Sequence, residues 1–200
     1  ELLQEAGGFN HNRQALRIMT LLEQRYPGFP GLNLSQEVLD AQSVRAKLPT
    51  APPPLLETQV VDAADSIAYD THDADDAIEL GFVRLEELLE LPLVAKAAEN
   101  VDSQHGKLDQ LLLRRAVLHE LIELQVAGLV TETSSRLRTM GDASVDRIKE
   151  ASTGGNRLVI HDPKVQQGKY ELEEFLFQRV YRSDQVMKIR QQSQEKMRDL

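Results

Sequence analysis

Apolar residues return along this chain at spacings of three and four, the repeat of a helix face, and rarely in the alternation of a half-buried strand. From Asn10 to Arg25 the stripe is Ala15, Leu16, Met19 and Leu22, widened by Leu21 behind a capping Asn10, and Pro27-Gly28-Phe29-Pro30-Gly31 ends it. A shorter helix is predicted from Ser35, with Glu37 and Val38 behind it, fading by Lys47; Pro49 to Pro54 form a stiff connection. Leu56, Val60, Ala63, Ala64, Ile67 and Ala68 predict a helix from Leu55 to about Ala77, ahead of Gly81, and Phe82 to Leu89 a further short one. Asp109 to Met140 is the longest run, apolar at Leu111, Leu112, Ala116, Leu118, Ile122, Val126, Leu129 and Val130, and it reads as a scaffold helix ending near Gly141. Beyond a loop at Ser152 to Asn156, Arg157 to His161 reads as a short strand. Lys169 to Leu200 reads as two closing helices that meet near Arg182-Ser183-Asp184. The expected fold class is all-α, with no internal repeat and no domain boundary across residues 1–200.

Composition supports this reading. Leu, Glu, Gln, Arg and Ala dominate, aromatic content is 4%, and 41% hydrophobic residues in 200 can supply a core. Apolar runs such as Leu111–Leu113 and Ala127–Val130 fall short of the roughly 18 to 20 residues a bilayer crossing needs, and no signal-peptide pattern opens the chain; no membrane association is expected. Zero cysteines exclude disulfides, zinc-thiolate sites and thiol catalysis, are compatible with a cytoplasmic location, and leave only His/carboxylate metal chemistry with five histidines. With 23 Lys+Arg against 32 Asp+Glu the net charge is −9, so nucleic acid is not an expected partner, and any bound polyanion needs a local basic cluster or a metal ion.

The chemistry concentrates in Val61 to Leu80, which holds Asp62, Asp65, Asp70, Asp73, Asp75, Asp76 and Glu79 and no Lys or Arg. Asp65, Tyr69 and Asp73 lie at i, i+4 and i+8, drifting about 40° per step around a helix, so one face offers a carboxylate, a phenol and a second carboxylate. Such a face is plainly solvated, or its carboxylates are repelled into protonation or relieved by a divalent cation. His11, followed by Arg13 and Arg17 at the start of the first helix, can meet a phosphate oxygen or serve as an ordinary surface histidine. Arg115 and His119, at i and i+4, make a second cationic pair or simple surface polarity. His72, His105 and His161 have no usable partner spacing, and no GxxxxGK[ST], GxGxxG or GxSxG occurs.

Three blocks carry more than spacing: GGFNHNRQALRIMTLLEQRYPGFPGLNLS, LLETQVVDAADSIAYDTHDADDAIELG and YELEEFLFQRVYRSDQVMKIR. Together they resemble the dGTPase-like branch of the HD-domain deoxynucleoside triphosphate triphosphohydrolases. The resemblance implies an all-α HD-domain bundle, a divalent metal (Mg, Mn, Fe or Co), cleavage of a dNTP into deoxynucleoside and triphosphate, and a homo-oligomer of two to six chains. It makes Asp65 the distant metal-ligating aspartate of an A-D-x-I-x-Y pattern. Tyr69 then packs on the deoxyribose, Asp73 receives its 3′-hydroxyl, and His11 in G-G-F-x-H-N lies close to the phosphates. Arg115 and His119 match, more loosely, an Arg-x-x-x-His pair of some relatives. The family's first His and its His-Asp pair precede the block that opens this chain, so the expectation is a single HD-type domain, 1–200, without the N-terminal part that carries those ligands. Ala41 to Lys47 stands where the family usually shows a Lys-His pair. The rival readings are a non-catalytic helical oligomerisation or regulatory subunit and a phosphohydrolase acting on another nucleotide.

Overall fold

Capping residues and apolar spacing fix nine α-helices in the computed structural model, which describes residues 8–141 and 143–198. They are α1 (His11–Arg17), α2 (Gln36–Arg45), α3 (Leu56–Glu79), α4 (Leu85–Leu88), α5 (Pro92–His105), α6 (Gln110–Met140), α7 (Val145–Ala151), α8 (Pro163–Leu176) and α9 (Asp184–Arg198). The protein is all-α, as its patterning predicts, with α6 as the long scaffold helix. Among the described residues pairing of the β type is limited to two isolated bridges, Gln24 with Gly31 and Tyr26 with Phe29. No helix among them is long and apolar enough to cross a membrane.

Several ends follow local chemistry. Asn10 caps α1 by accepting the Arg13 amide at 3.0 Å, Asp109 caps α6 through the Leu112 amide at 3.0 Å, and Asp162 caps α8 through the Lys164 and Val165 amides. Pro92 and Pro163 occupy first-turn positions, where a missing N–H costs nothing.

The structure corrects four expectations. The first helix keeps α geometry only to Arg17. From Ile18 to Leu22 it widens into a π-type turn, with the Glu23 amide on the Ile18 carbonyl at 3.1 Å, and then stops as the chain folds back. Gly31 and Leu32 donate to the Glu23 and Met19 carbonyls at 2.9 and 2.8 Å. Only glycine fits at that return: Gly31 has φ +74°, and a Cβ there would lie 2.3 Å from the Met19 carbonyl oxygen. Second, Arg157 to His161 forms no strand, because no neighbouring strand among the described residues is there to pair with it. The Leu158 amide instead donates to the Gln59 side chain at 2.8 Å. Third, α5 and α7 are helices that the apolar pattern did not single out. Fourth, the first closing helix begins at Pro163, six residues before Lys169. Residues 1–7, whose sequence resembles the helix that follows the family's His-Asp motif, and the final Asp199 and Leu200 lie outside the described residues.

The chain gathers into two compact units, Glu1–Gln59 with Asp142–Leu158, and Val60–Gly141 with Val159–Leu200. In the first, Gln42 donates to the Asn12 carbonyl at 3.0 Å and Asn12 to the Arg45 carbonyl at 3.2 Å, tying α1 to α2. Gln59, fully buried, donates to Ser152 Oγ at 2.9 Å and so ties the start of α3 to the residue that ends α7.

The second unit holds the main apolar core, which places the site face of α3. Ala74 and Ala77 of α3, Leu93, Val94, Ala97 and Val101 of α5, Val117, Leu118 and Leu121 of α6, and Leu172 and Leu176 of α8 interlock there, each set at helical spacing. Helix α8 approaches α5 so closely that a Cβ on Gly168 would stand 2.7 Å from the Leu93 Cβ. Gly168→Ala is therefore expected to destabilise. Overpacking costs about 1 to 3 kcal/mol, and the gain in helix propensity of about 1 kcal/mol offsets only part of it. A urea midpoint equal to or above that of the unmutated protein would show that the two helices can part.

Candidate active site

The acidic run of α3 is divided among separate partners in the second unit. Arg114 of α6 meets Asp75 Oδ1 through Nε at 2.7 Å, the Asp75 carbonyl through Nη2 at 3.1 Å and Glu79 Oε2 through Nη1 at 2.8 Å. These bonds hold the guanidinium in its charged form. Asp70 turns inward, where Lys169 of α8 reaches it with its ammonium and bonds Glu173, one turn on, at the same time. Lys169 and Asp70 are both almost fully buried. Burial pushes the Asp70 carboxyl up to about 6; Lys169 opposes that rise, and the charges of Glu173 and Asp73 add to it.

Two of the three predicted site residues on α3 lie at the surface. Asp65 and Tyr69 are exposed, Tyr69 to 63%, on a face that also shows Val60, Val61, Ala64 and Ala68. At about 1.5 Å per residue, Tyr69 and Asp73 lie roughly 6 and 12 Å along the axis from Asp65. Asp73 is half-buried because Tyr181, from a second π-type turn (Phe177–Tyr181) that continues α8, donates its hydroxyl to Asp73 Oδ2. That bond, with some burial, pushes the Tyr181 phenol up to about 12, so it remains a donor at neutral pH. The turn carrying it is anchored by Arg179 on Glu87.

The other predicted residues are dispersed. Arg115 and His119 are both exposed, one turn apart on α6, and it is Arg114 that engages the α3 carboxylates. His11, exposed at the first position of α1, belongs to the other compact unit. His161 is buried, with Nδ1 3.1 Å from the Gln125 carbonyl; since a carbonyl only accepts, Nδ1 carries the proton, and burial pulls the ring's pKa below its ordinary value. Among the described residues no group of three or more His, Asp or Glu stands close enough to hold a metal ion, so Asp65 does not by itself make a metal site in this chain.

Lys169, Tyr181 and Arg114 escaped the sequence reading. Lys169 carried a usable signal, a lysine at a core position of the Gly168, Leu172, Leu176 stripe with Glu173 at i+4. Tyr181 and Arg114 act across elements and left no such mark.

An all-α bundle with a carboxylate, a phenol and a second carboxylate along one helix face defines the structural class. No protein-family model matches the chain. A deoxyguanosinetriphosphate triphosphohydrolase-like protein of Geobacter sulfurreducens is 33% identical over 201 residues, covering 94% of this chain and 51% of that relative. Proteins of the same description from Bradyrhizobium sp. (strain ORS 278) and Leptospira interrogans are 32% identical over 212 residues and 30% identical over 197, covering 97% and 94% of this chain and 54% and 52% of theirs. The chain is thus a homologue of the deoxyguanosinetriphosphate triphosphohydrolase-like proteins, and it spans about half the length of the curated relatives it matches.

Proposed function

We propose that the full-length protein hydrolyses deoxynucleoside triphosphates to deoxynucleoside and triphosphate, with the open face of α3 as its substrate wall. The observation that carries this reading is the ordered row of Asp65, Tyr69 and Asp73 on that face, in a chain homologous to proteins named for this chemistry. Asp73 accepts the 3′-hydroxyl, the Tyr69 ring lies against the deoxyribose, and Asp65 belongs to the phosphate end. Arg115 and His119 contribute positive or proton-donating groups toward the triphosphate, where negative charge develops on the leaving group. Activity requires a divalent metal ion, for which Asp65 supplies one ligand and an HD-type portion outside this chain the rest. The protein acts in the cytoplasm as a homo-oligomer.

A panel of matched deoxy- and ribonucleotides tests this. The unmutated full-length protein is expected to prefer dNTP. Tyr69→Ala is expected to narrow the dNTP/NTP ratio of kcat/KM, because the ring leaves no room for a 2′-hydroxyl and rejects it by clash. An unchanged ratio in Tyr69→Ala would remove α3 from the sugar site. Absence of turnover on every nucleotide would favour a non-catalytic helical subunit.

A further inference from the structure

One side chain from another element closes on the face assigned to the sugar. Tyr181 arrives from the turn after α8 and gives its single proton to Asp73 Oδ2. A carboxylate has two oxygens that only accept, so a donor fixed on one sets the direction in which the other points. We infer that Tyr181 is the positioning residue for Asp73, holding the carboxylate in one orientation so that Oδ1 is presented to a hydroxyl donor of the ligand, the 3′-hydroxyl of a deoxyribose. This inference rests on the sugar-site reading of Asp73.

Three observations support it. The Tyr181 ring also lies close enough to Tyr69 to be influenced by it, so the two phenols and Asp73 form one neighbourhood. The wide turn buries none of its own residues, and Tyr181 is 46% exposed, so its hydroxyl has no core to support. Two other pairs, Lys169 with Asp70 in the helix before the turn and Arg179 with Glu87 within it, hold the segment that carries Tyr181 whether or not it bonds Asp73.

The test uses the full-length protein with one dNTP and its 2′,3′-dideoxy counterpart, comparing the unmutated form, Tyr181→Phe, Asp73→Asn and the double variant. Tyr181→Phe keeps the ring and removes one hydrogen bond. It is expected to raise KM for the dNTP about five- to tenfold with little change in kcat, since the contact is made equally in ground and transition states. KM for the dideoxy substrate should not move, and Tyr181→Phe should add nothing on top of Asp73→Asn. Equal losses on both substrates, or additive effects of the two substitutions, would overturn the inference, as would a silent Tyr181→Phe beside an impaired Asp73→Asn, which leaves the sugar site standing. If Asp73→Asn is itself without effect on the dNTP, the sugar-site reading falls and the inference with it. An unchanged urea midpoint for Tyr181→Phe confirms that the change acts at the site and not on the fold.

Discussion

Replacing Lys169 by methionine is expected to lower the stability of the protein by about 3 to 5 kcal/mol at pH 7.5, the cost of leaving a buried carboxylate without its cation. Methionine retains a buried apolar stem but not the ammonium that bonds Asp70 and Glu173. Asp70 would then face only Glu173 and Asp73, both negative. The effect depends on pH in a definite sense. The folded protein already binds a proton at Asp70 more tightly than the unfolded chain does, since burial holds that carboxyl at about 6 against an ordinary value near 3.8. Stability from this group is therefore fully present below the unfolded value and is lost as pH rises through the folded one. Removing the lysine enlarges the upward shift. The penalty of Lys169→Met should accordingly shrink when the pH is lowered from 7.5 to 5. Urea midpoints of both proteins at the two pH values measure it, and a penalty under about 1 kcal/mol, the worth of a surface pair, would contradict a buried one.

Asp65→Ala in the full-length protein is expected to remove bound metal and hydrolysis together, by more than about a hundredfold, since even a group that merely supports a metal ligand is worth ten- to a hundredfold. Asp62→Ala, one turn earlier on α3, should do much less. The two aspartates differ in register: Asp65 shares its face with Tyr69 and Asp73, whereas Asp62 lies three residues back and is already half-buried. Metal analysis and triphosphate release, measured on both variants, decide between them. Equal losses would mean that the reading of the face is out of register, and full activity in Asp65→Ala would end the assignment.

The fold was legible wherever one helix buries one stripe against the core. Helices α2, α3 and α6 were predicted nearly to the residue because Ser35, Asp109 and Gly141 punctuate clear apolar periods. Helix α5 was not, since Leu93, Val94 and Ala97 sit among alanines that give little contrast between faces. The apolar run at Leu158 and Val159 suggested a strand, but local composition cannot tell whether a pairing partner exists elsewhere in the chain. At the site, the shared face of Asp65, Tyr69 and Asp73 follows from helix geometry alone, while their chemical roles came from family resemblance. The partners of the α3 carboxylates, Lys169, Arg114 and Tyr181, lie 35 to 108 residues away in the bonds they make. Spacing along one helix says nothing about them.

The π-type turn at Phe177–Tyr181 has an effect on registration. Twelve residues separate Lys169 from Tyr181, and in an unbroken α-helix that distance would carry Tyr181 about 120° around the axis from Lys169. The turn, closed by the Arg182 amide on the Phe177 carbonyl at 3.0 Å, absorbs one additional residue and cancels roughly 100° of that rotation. Tyr181 thereby comes out on the side of the helix from which Lys169 reaches Asp70. Deleting one residue from the turn would restore a straight helix, leave Leu172 and Leu176 seated in the core, and keep the phenol about 20° around the axis from Lys169, on the side of Asp73. Two homologues can thus differ by one residue in length here and keep both the same core and the same phenol beside Asp73, so a single-residue gap in an alignment across this turn is structurally neutral.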